Sequence, residues 1–596
     1  MSEEKKSGID GQLLRRIVRF LVPYKKWVIL ASTSVIFAAF LGPLIPKLIQ
    51  VTIDRDVVSG DLVGLRNMIG LLFLILLAEG GLSFINTYLT QWIGQQAIYD
   101  LRIRLYRHIQ SQSLRFFDGT PIGRLITRVT SDVESLSDVL SAGLVTILGD
   151  LFKILFISWF MFTLDWRLAL VALSVIPFMM WATLWFKKRV RLAYRDTRKQ
   201  VARLNSFLQE HISGMKIVQI YGREPEEKKR FEAINDDHQQ AHIKTVFYFA
   251  LFFPLADLVA SIALGLVIWV GGLNAIGGTL TLGVLIAFIQ YVRQFFEPIR
   301  NLSDQFNTLQ SAMAGAERIF GLLDSDESIP QVAAPTSLID VKGRIEFKNV
   351  WFSYDNAIDL EDDNASWILR DVSFEVEPGQ SLAIVGATGA GKTTVISLLL
   401  RFYDVQRGQI IVDGIPINQT SLADLRSHIG LVLQDVFLFS GSIKDNITLR
   451  NPLISDLAMK EATKAIGAAS FIEKLSEGYD YQVKERGISL SHGQRQLLSF
   501  VRTLVYNPKI LVLDEATSSV DTETEEVIQR AMETLMAGRT TVAIAHRLST
   551  VQHASQILVM HKGMVRERGN HQQLIAKDGL YRKLYELQYR DQESVA

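Results

Sequence analysis

No cysteine occurs among the 596 residues. That absence excludes a disulfide scaffold, thiolate metal sites and a cysteine nucleophile, and leaves the redox compartment open. Net charge is equally scarce. Lys and Arg number 63 against 62 Asp and Glu, a balance of +1, so no global basicity points to a nucleic-acid partner. A hydrophobic share of 48% against 21% charged residues is not the composition of a disordered chain. What the chain does have is length, enough for two or more domains, and a mean hydropathy of +0.19. Soluble proteins usually fall below zero and bare bundles of membrane spans lie far above it, so this mean predicts a mixture.

The apolar part lies in the first half. Six stretches have the length and apolarity to cross a hydrocarbon core, which takes about 20 helical residues: 27–48, 67–91, 141–164, 168–186, 247–271 and 279–299. Lys5, Lys6, Arg15, Arg16 and Arg19 form a polar lead with no small-residue cleavage site behind the first span, so no signal peptide is expected. Lys and Arg also concentrate in 92–140 and 187–245, whereas 51–66 carries Asp54, Asp56 and Asp61, and 165–167 and 273–278 are tight turns. Basic flanks stay on the cytoplasmic side, which predicts cytoplasmic termini. Leu13, Leu14, Ile17 and Leu21 alternate with Arg15, Arg16 and Arg19 as in an amphipathic helix lying on the inner membrane surface.

The two basic segments each show helical periodicity on both sides of a glycine-containing break, at 116–123 and at 212–216. The spans are therefore expected to run far into the cytoplasm and turn there, presenting a docking surface. Charges inside spans are costly and often functional; Glu79, Asp150, Lys153, Asp257 and Arg293 are the candidates. Helical spacing predicts the pairs Asp150–Lys153 and Arg293–Glu297. Glu79 and Asp257 have no opposite charge at such spacing, so a cavity or another helix is expected to face them. Gln290, Tyr291 and Gln294 beside Arg293 mark the last span as a cavity wall.

Composition changes near residue 325. Acidic and proline-containing residues make a linker over 325–342, which separates a membrane domain (1–324) from a second domain (343–596). In the second domain, short β-branched runs at 345–347, 381–385, 410–412, 510–513 and 541–544 alternate with helical stretches. This predicts an α/β domain with a largely parallel sheet. Gly386-Ala387-Thr388-Gly389-Ala390-Gly391-Lys392-Thr393 matches G-x-x-x-x-G-K-[ST] and stands between a strand and an apolar helix, which continues through Thr394. Such glycines let backbone N–H groups close on phosphates, the lysine reaches β- and γ-phosphate oxygens, and the Thr393 hydroxyl ligates Mg²⁺. The expected ligand is ATP or GTP. A second apolar strand ends in Asp514-Glu515, where an Asp can hold the Mg²⁺ shell and a Glu can polarise the attacking water.

Between these lies Leu490-Ser491-His492-Gly493-Gln494, which resembles the L-S-G-G-Q signature of the ATP-binding cassette family except for His492 in place of the first Gly. The family's other elements follow in order. Tyr354 resembles the aromatic that stacks on adenine, and Gln434 the Q-loop residue, implied as a catalytic group and further Mg²⁺ ligand. Glu485-Arg486-Gly487 is similar to the exporter X-loop, Asp521 closes a D-loop-like segment, and His546 matches the switch histidine. The resemblance spans almost the whole chain and is to exporter half-transporters of the multidrug and lipid type. It implies an all-α six-helix transmembrane domain with long cytoplasmic extensions, followed by an α/β P-loop nucleotide-binding domain. The cofactors are then ATP and Mg²⁺, and the setting is a bacterial inner membrane, with no nucleic acid involved. The breaks at 116–123 and 212–216 become coupling helices, one seated in the chain's own cassette and one in the partner's. Two cassettes pair head to tail, so Ser491, Gly493 and Gln494 complete the other chain's nucleotide site. Glu515 is then the general base, with His546 at the γ-phosphate.

An intact Glu515 with an altered signature resembles one chain of heterodimeric bacterial exporters, with a homodimer as the alternative. Lys484 stands where exporter X-loops often have Gly, and residues 359–364 lengthen the loop after Tyr354 with acidic groups. Export of drugs or lipids is the expected function. Export of peptides or conjugated metabolites, or an ATP-gated channel, are the alternatives.

Overall fold

A computed structural model of the chain describes residues 11–355, 358–359, 361–362, 365–514, 522–545 and 551–588. These fall into two compact units. One comprises 1–110 and 122–325, the other 111–121 and 326–596. The acidic loop at 359–364 lies only partly within the described residues.

The first unit is helical. Lys25–Val51, Leu62–Ser111, Leu144–Leu164, Trp166–Leu173 continuing as Ile176–Ser213, Glu224–Ile276 and Leu282–Asp324 follow one another. Their ends have local causes. The Asp165 carboxylate accepts from the Leu168 amide at 2.8 Å and caps the fourth helix, and Thr281 caps the last through the Val284 amide. Glu224, Glu226 and Glu227 stand in the first turn of the fifth, complementing its dipole. At about 1.5 Å per residue, the 50 residues of Leu62–Ser111 and the 53 of Glu224–Ile276 far exceed the roughly 30 Å of a hydrocarbon core. Among the described residues, five helical segments are long and apolar enough to cross a membrane. Leu282–Asp324 is not among them, because Gln290, Arg293, Gln294 and Glu297 interrupt its apolar run.

The membrane-level core joins Ile157, Leu168, Val267, Phe288 and Tyr291, and the buried Tyr291 phenol donates to the Pro43 carbonyl at 2.7 Å. A second cluster ties the other ends of the long helices together through Leu101, Leu105, Leu136, Ala316 and Phe320. The expected amphipathic helix forms over Gly11–Arg19, and its Ile17 is buried in that second cluster. Arg16 clasps Asp324 with bonds of 2.7 and 2.8 Å and covers the Phe320 ring at 4.1 Å, so the helix packs on protein as well as offering a polar face. Asp132 holds Arg128 at 2.7 Å and also Arg318, fixing the turn Arg128–Asp132, which precedes the third helix, against the last helix.

Neither expected local pair closes as an ion pair, although the charge of Lys153 still acts on Asp150. Lys153 reaches across to Glu297, with Nζ to Oε2 at 3.0 Å, because the third and last helices face each other there and an interhelical partner lies closer than an intrahelical one. Glu79 does meet another helix: its carboxylate packs against Gly42.

Among the described residues, the second unit holds three sheets. Strands β1 (Ile345–Phe352), β2 (Leu369–Val376), β4 (Arg407–Val412) and β5 (Ile415–Pro416) make an antiparallel sheet in the order β2-β1-β4-β5, with β3 (Ser381–Val385) placed elsewhere. The main sheet has the order β12-β11-β3-β10-β9-β6, with β6 (Ile429–Val432), β9 (Ile510–Asp514), β10 (Thr540–Ile544), β11 (Gln556–His561) and β12 (Met564–Gly569). Its pairs are parallel except the last, β11 with β12. Strands β7 (Gly441–Ser442) and β8 (Gln482–Val483) pair apart. The largely parallel sheet expected from the alternation is therefore present, accompanied by a separate antiparallel sheet. Strand β3 reads Ser-Leu-Ala-Ile-Val and is buried from its second residue on, as a central parallel strand covered on both faces must be.

Candidate nucleotide site

In register, Ile384 of β3 pairs with Ile544 of β10, and Ile544 with Asp514 of β9. Neighbouring strands lie about 4.8 Å apart, so the carboxyl ends of three parallel strands converge within about 10 Å. Crevices outside such strand ends are where open α/β sheets bind ligands. The loop Gly386–Gly391 leaves β3 there and enters the helix Lys392–Leu399. Two glycines are required by space. A Cβ on Gly386 would stand 2.3 Å from the Met560 carbonyl oxygen of β11, and Gly391 has φ +97 with the Leu369 side chain 2.6 Å from any added Cβ.

Gly391 caps the helix without a side-chain acceptor, so its leading N–H groups remain available to an anion. Ala387, Thr388, Gly389 and Thr393 are exposed, whereas Lys392 is buried. Its ammonium donates to the Gly386 carbonyl at 2.8 Å and the Ala387 carbonyl at 3.1 Å. Burial pushes the Lys392 pKa below the ordinary lysine value, and the Asp514 carboxylate opposes that shift. Asp514 and Lys392 therefore interact electrostatically. This set, an ammonium under the influence of a carboxylate, free helix-terminal amides and an exposed hydroxyl, fits a nucleotide triphosphate with its divalent cation.

Tyr354 follows β1 and is 45% exposed. Its hydroxyl lies 3.2 Å from Thr394 Oγ1, and its ring is held edge-on by Phe352 at 4.9 Å and Tyr403 at 5.2 Å. One aromatic face is thus left beside the phosphate-loop helix. Gln434 is exposed just beyond β6, whose last residue, Val432, pairs with Leu513 of β9. It therefore follows the same carboxyl edge of the sheet as Asp514. Glu515, Asp521 and His546 lie outside the described residues.

The signature segment forms a capping box at the helix His492–Val505. Ser491 Oγ accepts from the Gln494 amide at 3.2 Å, and Gln494 Oε1 accepts from the Ser491 amide at 2.9 Å. The Ser491 hydroxyl acts as acceptor there, so its own proton remains free to donate. Gly493 is buried, and His492 Nδ1 is buried without a hydrogen-bond partner. Among the described residues, no hydrogen bond or ion pair joins Ser491–Gln494 to the Gly386–Thr394 loop. The segment Glu485–Gly487 is a single 3₁₀ turn with Arg486 at φ 55, and the Arg495 guanidinium donates to the Gly487 and Leu490 carbonyls at 3.3 Å.

One contact has no signal in the sequence. The short helix Leu114–Gly119 packs within the second unit, with Phe116 buried. The Tyr403 hydroxyl donates to Asp118 Oδ2, and Arg115 lies 5.9 Å over the Tyr403 ring. Burial, reinforced by Asp118, raises the Tyr403 pKa. Asp118, Tyr403, Tyr354 and Thr394 thus form a continuous chain of contacts between that helix and the phosphate loop. The glycine break located the segment, but its partner is 285 residues away and no local pattern names it.

A family model of the ABC transporter transmembrane region matches residues 28–299, and one of the ABC transporter matches 369–518. The chain is 39% identical over 581 residues to the uncharacterized ABC transporter ATP-binding protein YknV of Bacillus subtilis, covering 96% of this chain and 94% of that one. It is 35% identical to an ATP-dependent lipid A-core flippase of Syntrophus aciditrophicus, covering 97% and 95%. A Staphylococcus aureus protein provisionally named a multidrug export ATP-binding/permease protein is 38% identical, over 97% of this chain and all of that one, 100%.

Proposed function

The chain belongs to the ABC transporter family, and from that premise we propose that it is one half of an exporter that moves amphipathic drugs or lipids across a bacterial cytoplasmic membrane. It is a multi-pass membrane protein that binds ATP, couples its hydrolysis to transport and works as a dimer. The alignment of Ile384, Ile544 and Asp514 across three parallel strands carries the catalytic reading. The names of the flippase and the multidrug-type relative support the substrate class.

The amides of Gly386–Gly391 and the first turn of the following helix grip the phosphates, and Lys392 turns from the loop carbonyls to the β- and γ-oxygens. Tyr354 stacks on the adenine. Thr393, Gln434 and Asp514 would hold Mg²⁺, which when bound neutralises phosphate charge. Glu515 takes a proton from the attacking water, and His546 contacts the γ-phosphate. Ser491, Gly493 and Gln494 act on the nucleotide held by the other chain, with Asp521 at that interface. Because ATP bridges both chains, it favours the closed pair, and hydrolysis removes that preference; such differential affinity is what shifts the spans between inward- and outward-facing states. All six helices cross the membrane, the last with its polar residues facing inward, and the basic segments put the cassette in the cytoplasm.

The test is ATP-driven accumulation of a fluorescent amphiphile in inside-out vesicles. Accumulation against a gradient is expected; equilibration without accumulation would identify a channel instead. Assembly is tested separately. A heterodimer is favoured by intact Glu515 beside an altered signature, so the chain purified alone should lack substrate-stimulated ATPase activity. A stable, fully stimulated homodimer would reverse that assignment.

The Asp118–Tyr403 contact supports reading Leu114–Gly119 as the coupling helix for the chain's own cassette. In Tyr403→Phe the ring still supports Tyr354 but the hydrogen bond is gone, worth about 1–1.5 kcal/mol. Substrate moved per ATP hydrolysed should fall about five- to tenfold, as read by parallel uptake and phosphate-release assays.

A further inference from the structure

Glu79, Asp150 and Lys153 gather with Glu297 into one cluster. Lys153 Nζ lies 3.0 Å from Glu297 Oε2. The charge of Lys153 acts on Glu79, whose carboxylate packs against Gly42. Asp150 is within electrostatic reach of both Lys153 and Glu297. One ammonium therefore serves three carboxyl groups, supplied by the helices Leu62–Ser111, Leu144–Leu164 and Leu282–Asp324.

Asp150 is only 9% exposed, and its Oδ2 is buried with no hydrogen-bond partner. The Asp150 oxygen is an acceptor without a donor, and Lys153 is the cation whose charge acts on both Asp150 and Glu79, so the group lacks a further donor and further positive charge. An N–H-bearing cation supplies both. The site is reachable from one side, since the Glu297 side chain keeps 56% of its exposure and Lys153 29%. One turn beyond Lys153, Phe156 meets Phe40 edge-on at 5.3 Å, an apolar wall for the body of an amphiphile.

We propose that Asp150, with Glu79 and Glu297, forms a subsite for the protonated amine of a lipophilic organic cation, where the ligand's ammonium completes the charge that Lys153 supplies in part. This rests on the export reading and adds to it a substrate class and the residues that select it.

The test uses the full-length chain in its native assembly, in lipid nanodiscs, with dansylcadaverine as the cationic probe and its N-acetyl derivative as the neutral one. Asp150→Asn should weaken dansylcadaverine binding about tenfold or more, the loss of a charge-assisted hydrogen bond, and leave the acetylated probe unchanged. Glu297→Gln, at the exposed rim, should show the same selective loss should Asp150→Asn fail to fold. Lys153→Met removes the resident competitor and should strengthen amine binding several-fold. Equal loss of both probes, or weaker amine binding in Lys153→Met, overturns the subsite and leaves the cluster a helix-packing device. If vesicles accumulate the neutral probe with ATP while the variants fail to discriminate, the subsite falls and export stands. If the amine binds selectively but neither probe is pumped, export falls and the subsite stands.

Discussion

In a Glu515→Gln variant, ATP binds as before while hydrolysis falls by about 10²–10⁴-fold, the contribution of a positioned general base. Glu515 directly follows Asp514, whose place at the carboxyl end of β9 is set by pairing with Ile544. The charge of Asp514 acts on Lys392 beside the phosphate loop, which commits that carboxylate to the loop and its cation and leaves the role of base to the next residue in the sequence. Gln retains the shape and can hydrogen-bond water but cannot take its proton. The measurement is single-turnover phosphate release alongside equilibrium nucleotide binding. Wild-type turnover in the variant would mean that another group serves as base; lost binding would mean that Glu515 acts structurally.

Lys392→Ala removes the nucleotide itself. The ammonium donates to the Gly386 and Ala387 carbonyls at 2.8 and 3.1 Å, a position from which a modest turn brings it onto phosphate oxygens. Hydrogen bonds to charged groups are worth about 1.5–3 kcal/mol, so ATP affinity should fall about 10- to 150-fold and hydrolysis should reach background at ordinary ATP concentrations. The fold should survive, because Ala387 is exposed and water can satisfy its carbonyl. Nucleotide binding by calorimetry and the thermal midpoint together separate these effects; a collapse in the midpoint would place the lysine in the loop's architecture instead.

The legible elements were those whose physics is local. Strand β3, an apolar run between a turn and a glycine loop, reads at 381–385 with the bounds it takes in the structure. Strand β2 was not legible, because Asp371 at φ 49 and the shift in register near Val350 and Val372 break its alternation. Edge strand β12, Met-Val-Arg-Glu-Arg-Gly, carries the charges that protect a sheet edge and so lacks a strand's apolar signal. The ion pair of Lys153 is not legible for the converse reason. Asp150 and Lys153 satisfy the helical spacing rule, yet the carboxylate that Lys153 bonds comes from a residue 144 positions away. Spacing along one helix says nothing about what a neighbouring helix brings. Within the nucleotide site, Lys392 and Asp514 are legible because motif and strand end coincide and Tyr354 only through the family resemblance, whereas Tyr403 carries no motif at all.

The cassette of this protein is not contiguous along its polypeptide, since residues 111–121 fold with 326–596. Recombination between related transporters at the obvious boundary near 325 would separate Tyr403 from the Asp118 it evolved with and join it to a stranger's helix. Chimeras cut there should fold in both halves yet transmit poorly, and moving the short segment together with the cassette should restore them. The inheritable module is thus a pair of sequence blocks, and divergence in one is constrained by the other across most of the chain's length.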